Sequence, residues 1–150
     1  MSRRPDGKLT LDVDGEKGPQ DACGIFGVWA PGEEVAKLAF YGLYALQHRG
    51  QEACGIVSYD GEHFHAHQGL GHVGKNFGDA RIIGRLLGHA AIGHNRYATT
   101  GETSLRNVQP FFADFDFGGF ALAHNGNLTN AYTLRKELIR KGSLFHSTSD

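Results

Sequence analysis

Cysteine is scarce in this chain: 150 residues hold two, Cys23 and Cys54. Two thiols cannot build the disulfide framework of a small secreted domain, nor a four-thiolate zinc site. Long apolar runs are missing as well, and nothing approaches the ~20 residues that cross a bilayer. The first 22 residues, MSRRPDGKLTLDVDGEKGPQDA, contain no apolar stretch of the signal-peptide kind. Charge of one sign is also lacking, with 15 basic against 16 acidic residues and a net charge of −1. That balance gives no electrostatic case for a nucleic acid or an anionic membrane as partner. Together these absences point to a cytoplasmic protein with neither kind of partner.

Other features are abundant. Apolar residues make up 40% of the chain and aromatics 11%, enough for a core. Glycine reaches 22 against only four prolines, with no collagen period, so many tight turns and close backbone approaches are expected. Residues 1–22 stand apart, with nine charges, four basic and five acidic, and no aromatic. Such a segment buries little, and it reads as a flexible leader.

The rest reads as layered α+β. Ala22–Ala30 is apolar almost throughout and suggests a strand buried on both faces. Pro31-Gly32 breaks it, and Val35, Leu38, Ala39, Gly42, Leu43 and Leu46 follow at helical spacing, with His48-Arg49-Gly50 as the stop. Ala53–Tyr59 and Glu62–His67 read as strands joined by an Asp60-Gly61 turn. A glycine-rich loop covers Gly69–Gly78. Asp79 caps a short helix carrying Ile82, Ile83, Leu86 and Leu87. Ala90–His94 is a strand, Asn95–Pro110 a long polar loop, and Phe117–His124 another strand. Thr129–Lys141 is an amphipathic helix with Leu134, Leu138 and Ile139 inward, and Phe145–Asp150 is extended. Strands precede each helix in runs rather than alternating with them, which favours α+β over βαβ units.

Four places could carry chemistry. Cys23 opens a buried strand directly after the charged leader. A thiol with an ordinary pKa of ~8.5 needs a base to act near neutral pH. Cleavage before Cys23 would give it one, its own α-amino group, which titrates near ~7.7–8.0. The competing reading is a small buried core cysteine. Asn125-Gly126 follows a strand. It is first a turn signal, but a side-chain amide beside a glycine N–H is also a ready pair of oxyanion donors. Arg96, at a strand-to-loop junction, can take a carboxylate through two parallel hydrogen bonds, or can simply be a solvated loop charge. Asp150 could receive an ammonium group, or be merely an acid at the end of the sequence. His63, His65 and His67 alternate on one strand face, which opens a zinc reading, but no carboxylate or cysteine completes a ligand set.

In this order, CGIFGV (Cys23–Val28), LQHRGQEACGI (Leu46–Ile56), GHNRYATTG (Gly93–Gly101), NVQPF (Asn107–Phe111), HNGNLTN (His124–Asn130) and HSTSD (His146–Asp150) resemble the glutaminase half of the amidophosphoribosyltransferase family. These are class-II glutamine amidotransferases of the N-terminal nucleophile hydrolase superfamily, and the resemblance spans residues 22–150. It implies a four-layer αββα sandwich, incomplete in this chain. It makes residues 1–22 a propeptide and residues 23–150 the first part of a glutaminase domain. Cys23 would be the nucleophile, with Asn125 and Gly126 holding the oxyanion. Arg96 would grip the glutamine α-carboxylate and Asp150 its α-ammonium. Arg49 and Gly50 would lie near the cysteine amine, and Tyr97 and Thr99 would shape the pocket. No metal is expected in this chain. Mg²⁺, and in some members a 4Fe-4S cluster, would belong to a transferase part beyond it, as would phosphoribosyl pyrophosphate and homo-oligomer contacts. The motif departs from the family pattern at Asn95, where an apolar residue is expected.

Two other readings remain open at this point. One is a glutaminase of the same superfamily serving glucosamine-phosphate, glutamate or asparagine synthesis. The other is a catalytically silent interaction module that keeps its leader.

Overall fold

The computed structural model describes residues 2–3, 9–10, 23–97, 104–126 and 128–149. Within residues 1–22, Ser2–Arg3 (β1) pairs antiparallel with Leu9–Thr10 (β2). The other residues of that stretch, expected to be a flexible leader, lie outside the described set.

The centre of the fold is a four-stranded antiparallel sheet in the order β3-β6-β4-β5. Its strands are β3 (Gly24–Trp29), β4 (Ala53–Tyr59), β5 (Phe64–Leu70) and β6 (Ala90–Arg96). The Asp60-Gly61 turn joins β4 to β5 as the sequence predicts. Asp60 Oδ1 accepts from the backbone N–H groups of His63 (2.7 Å) and Glu62 (2.9 Å), and Gly61 takes φ +108°. Those bonds, with the His65 ring on Oδ2, hold the Asp60 carboxyl well below the usual carboxylate range.

One face of the sheet is covered by helices. Helix α1 (Val35–Ala45) buries Val35, Ala36, Ala39 and Leu43 against it. Two short helices, α2 (Val73–Phe77) and α3 (Ala80–Ile83), add Val73 and Phe77 and the half-buried Ile82 and Ile83. Asp79 caps α3 as expected, its side chain accepting from the Arg81 N–H at 2.9 Å. Close packing requires glycine here. A β-carbon on Gly42 would overlap the Phe26 ring, and one on Gly93 would lie 2.8 Å from Leu43 Cδ1.

The opposite face carries a different layer. Asn107–Pro110 is buried there, and Gln68 of β5 donates to the carbonyls of Val108 (3.0 Å) and Pro110 (2.6 Å). A hairpin of β7 (Phe111–Phe115) and β8 (Gly118–Leu122) follows, and Gly119 sits against the Phe64 ring. Helix α4 (Ala131–Arg140) comes last. The architecture is thus α+β, with helices, a sheet and a second strand layer in succession.

Several local expectations change. β3 buries one face only, where Phe26 and Val28 pack against the helix side, and leaves Trp29 74% exposed on the other. The glycine-rich stretch Gly69–Gly78 contains α2, because Val73 and Phe77 bury side chains that outweigh its glycines. The polar loop gives way to β7, which the interrupted pattern FFADFDFGGF hid. Leu38 and Leu87 are exposed. In α4 no residue is buried: Leu134 and Ile139 are exposed and Leu138 is half-buried, since no described element packs over that face. Gly50 is not a left-handed cap. Helix α1 ends at Ala45, Gln47–Arg49 forms a 3-10 turn, and Gly50 is extended at φ −166°.

Candidate active site

Antiparallel register decides where the site lies. Gly24 of β3 pairs with Asn95 of β6, which pairs with Cys54 of β4. The start of β3, the end of β6 and the start of β4 therefore share one end of the sheet. Cys23 precedes β3, Arg96 ends β6 and Tyr97 follows it. Arg49 and Gly50 sit just before β4. The chain returns to this end after β8, which brings Asn125 alongside.

The contacts around Cys23 are specific. Its Sγ accepts from the Tyr97 backbone N–H at 3.4 Å and lies 3.6 Å from the Tyr97 carbonyl, to which the thiol can donate. Its own carbonyl accepts from Asn125 Nδ2 at 2.9 Å and from Arg49 Nε at 3.3 Å. An amide nitrogen carries two hydrogens, so Asn125 keeps a second donor for another acceptor. A β-carbon on Gly126 would meet the His124 ring at 3.2 Å. Gly50 lies so close to β6 that a β-carbon would stand 2.8 Å from the Arg96 carbonyl carbon.

Arg96 points to the face opposite the helices. Its Nη1 donates to the Asn107 carbonyl at 3.2 Å, while its buried Nε has no partner among the described residues. Beside it, His94 is fully buried. Burial first, and the Arg96 charge second, lower its pKa to about 4, so the ring is neutral at pH 7. Asn95 faces α1 and is fully buried. Its Nδ2 donates 2.7 Å to the Leu43 carbonyl, one of the last-turn carbonyls that a helix leaves without an internal partner. That bond satisfies the amide nitrogen of a polar side chain where an apolar one was expected, while its buried Oδ1 has no partner among the described residues.

The structure therefore gathers Cys23, Arg49, Gly50, Arg96, Tyr97, Asn125 and Gly126 at one end of the sheet. Tyr97 takes part through its main chain. Thr99 and Asp150 lie outside the described residues. The other cysteine is not part of the site. Cys54 is buried under Asn76, and burial raises its thiol pKa to about 12. The three alternating histidines do not converge. His65 pairs with Asp60 at 2.7 Å, His67 meets the Phe77 ring edge-on, and His63 lies outside the strand. Among the described residues no group of three His, Cys, Asp or Glu side chains could hold a metal.

Two supporting residues escaped the sequence reading, although both fall within quoted motifs. Gln47 donates to the Gly50 carbonyl and accepts from the Val73 N–H at 2.7 Å, which fixes the turn that presents Arg49. Asn107 bonds across forty residues to Ser147 and Thr148. Neither role has a periodicity or charge signature, because both arise from contacts distant in sequence.

A thiol held by a main-chain N–H, with amide and guanidinium donors around it, suits attack on a carbonyl and stabilisation of the resulting anion. The family model described as "Glutamine amidotransferases class-II" matches residues 79–142. Over those residues the chain is similar to the class-II glutamine amidotransferases, and its fold is that of a solved amidotransferase. The relatives it matches are named amidophosphoribosyltransferases. The one from Synechococcus elongatus is 45% identical over 97% of this chain and 31% of its own length. That from Mycobacterium tuberculosis is 56% identical over 77% of this chain and 22% of its own. The solved glutamine phosphoribosylpyrophosphate amidotransferase of Bacillus subtilis, complexed with ADP and GMP, superposes with a TM-score of 0.76 at 45% identity, covering 84% of this chain and 27% of that one. The chain thus spans about a quarter to a third of the first relatives it matches. These relatives favour the amidophosphoribosyltransferase reading over the other glutaminases and over a silent module.

Proposed function

We propose that this chain is the glutaminase part of an amidophosphoribosyltransferase, and that it releases ammonia from glutamine at Cys23. The placement of Cys23 supports the reading: its sulfur meets the Tyr97 N–H while Asn125 and Arg49 hold its carbonyl. In the intact sequence the Cys23 nitrogen is an amide and cannot act as a base. Removal of residues 1–22 as a propeptide frees an α-amino group beside the thiol.

The amine then takes the thiol proton, and the thiolate attacks the side-chain carbonyl carbon of glutamine. The second N–H of Asn125 and the backbone N–H of Gly126 receive the oxyanion. Collapse breaks the carbon–nitrogen bond. The amine's extra proton leaves with the nitrogen as ammonia, and a glutamyl thioester remains. Water then hydrolyses the thioester to glutamate and restores the thiol. Arg96 grips the substrate α-carboxylate and Asp150 its α-ammonium. Arg49 and Gly50 line the amine side, and Tyr97 and Thr99 complete the pocket.

The ammonia would convert phosphoribosyl pyrophosphate to 5-phosphoribosylamine, the opening reaction of purine synthesis, in a part of the protein outside this span. Mg²⁺ and any 4Fe-4S cluster would belong there too. The residues here do not fit a cluster, since Cys54 is a buried thiol with its pKa raised to about 12 and Cys23 is committed to the site. A cytoplasmic homo-oligomer is in keeping with this role, and no described helix is long and apolar enough to cross a membrane.

The test combines the mature N-terminus with one variant. Mass analysis of the active protein is expected to find Cys23 as residue one. Cys23→Ala is expected to abolish ammonia release from glutamine. Glutamine turnover that survives in Cys23→Ala would remove Cys23 as nucleophile, and full activity with Met1 retained would remove the propeptide.

A further inference from the structure

Arg96 and the segment leading into Asp150 come from distant parts of the chain, yet one residue holds both. Asn107 is buried at 3% exposure in the layer opposite the helices. Its backbone carbonyl accepts from Arg96 Nη1 at 3.2 Å. Its side chain turns to the other segment. Oδ1 accepts from the Thr148 N–H at 2.9 Å and from the Ser147 hydroxyl at 3.1 Å, and Nδ2 donates to the Thr148 hydroxyl at 2.8 Å. Both lone pairs of the amide oxygen are thus spent on residues 147–148. The segment is steadied from its far side by Arg135, whose Nη2 donates to the Ser147 carbonyl at 2.7 Å. Ser149 folds back on the Ser147 hydroxyl at 2.9 Å. The next residue in sequence is Asp150.

We infer that Asn107 is a positioning residue that sets the separation between Arg96 and the 147–149 segment, and so fits the site to the α-amino-acid end of its substrate. The inference rests on the proposed glutaminase reading. An α-carboxylate and an α-ammonium on one carbon are separated by a fixed short distance. Two groups on independent segments can match that distance only if something holds the segments together. A bound amino acid would then meet a preorganised pair, and the ordering cost on binding would fall. Asn107 itself need not touch the substrate.

The test compares two electrophiles that reach the same sulfur in the intact, mature protein. One is a glutamine-like diazoketone bearing a free α-amino acid group; the other is iodoacetamide, which has neither charge. Cys54 is buried and does not compete. Asn107→Ala should slow labelling of Cys23 by the diazoketone at least tenfold and leave the iodoacetamide rate within about twofold. Thr148→Val removes a single bond and should slow the diazoketone about fivefold, the fold-change of one ordinary hydrogen bond. Thr148→Ser keeps the hydroxyl and should restore the rate. In steady state, both damaging variants should raise the glutamine KM more than they lower kcat.

Equal slowing by both reagents would overturn the positioning role and make Asn107 a purely structural residue. Unchanged diazoketone labelling in Asn107→Ala and Thr148→Val would overturn it as well. If the unaltered protein labels with iodoacetamide but never with the diazoketone, the glutaminase reading itself fails, and this inference falls with it.

Discussion

Gly50→Ala tests the geometry that brings the site together. Gly50 has φ −166° and ψ 128°, an extended conformation that any residue adopts, so conformation gives no reason for glycine. Space gives one. An added β-carbon would lie 2.8 Å from the Arg96 carbonyl carbon, 2.9 Å from its oxygen and 2.9 Å from the Asn95 carbonyl carbon. All three are main-chain atoms of β6, a central strand paired on both sides, so no flexible side chain can swing away. Two effects compete. Replacing glycine restricts the unfolded chain, which alone stabilises by ~0.4–1 kcal/mol. Overpacking against fixed atoms costs ~1–3 kcal/mol. The second wins, for a net loss of about 1–2 kcal/mol. With an ordinary urea m-value that is a fall of roughly 1 M in the denaturation midpoint. Gly27→Ala is the control, because its β-carbon would meet only Ile92 Cγ2 at an ordinary 3.9 Å. Only the entropic gain applies there, so it should be neutral or slightly stabilising. Since β6 ends in Arg96 and leads to the Tyr97 N–H on Cys23 Sγ, Gly50→Ala should also change the alkylation rate of Cys23. A Gly50→Ala protein as stable as the unaltered one would refute the close-packing argument.

Two further outcomes follow from buried charge and from the proposed clamp. His94 has a folded pKa of about 4 against an ordinary 6.5, so the unfolded chain binds a proton more readily. Above pH 6.5 both states are neutral at this ring; as pH falls toward 4, stability should drop by about 3 kcal/mol in total. His94→Leu should flatten that acid branch in urea titrations at pH 7.5, 5.5 and 4.5, and an unchanged slope would acquit His94. Arg96→Ala should raise the glutamine KM by roughly 10–100-fold with a smaller effect on kcat, the signature of lost ground-state binding by a charge-assisted hydrogen bond. Arg96→Lys should not restore it, because an ammonium cannot make the parallel two-bond contact; an unchanged KM in either variant takes Arg96 out of the pocket.

Much of this molecule was written locally. Hydrophobic spacing located α1, β4 and β6 to within a few residues, because each element's own period records what it buries, and it located α4 as well although that helix buries no residue. Asp60-Gly61 and Asp79 marked a turn and a cap through bonds to their immediate neighbours. Motif order picked out Cys23, Arg96 and Asn125 as residues with chemistry to offer. The sequence was silent on what depends on distant partners. β3 reads as doubly buried, but the helix layer covers one of its faces and the other is exposed. Gly50 resembles a helix stop, yet it is required by the backbone of a strand more than forty residues away. Asn107 opens the NVQPF motif, but nothing in its periodicity or charge marks its role, since its partners lie forty residues further on. Local propensity and periodicity reach only a turn or two along the chain. Antiparallel register, by contrast, placed the start of β3 against the end of β6 and laid Asn125 on the Cys23 carbonyl, so only the tertiary structure decided which of the candidate residues could act together.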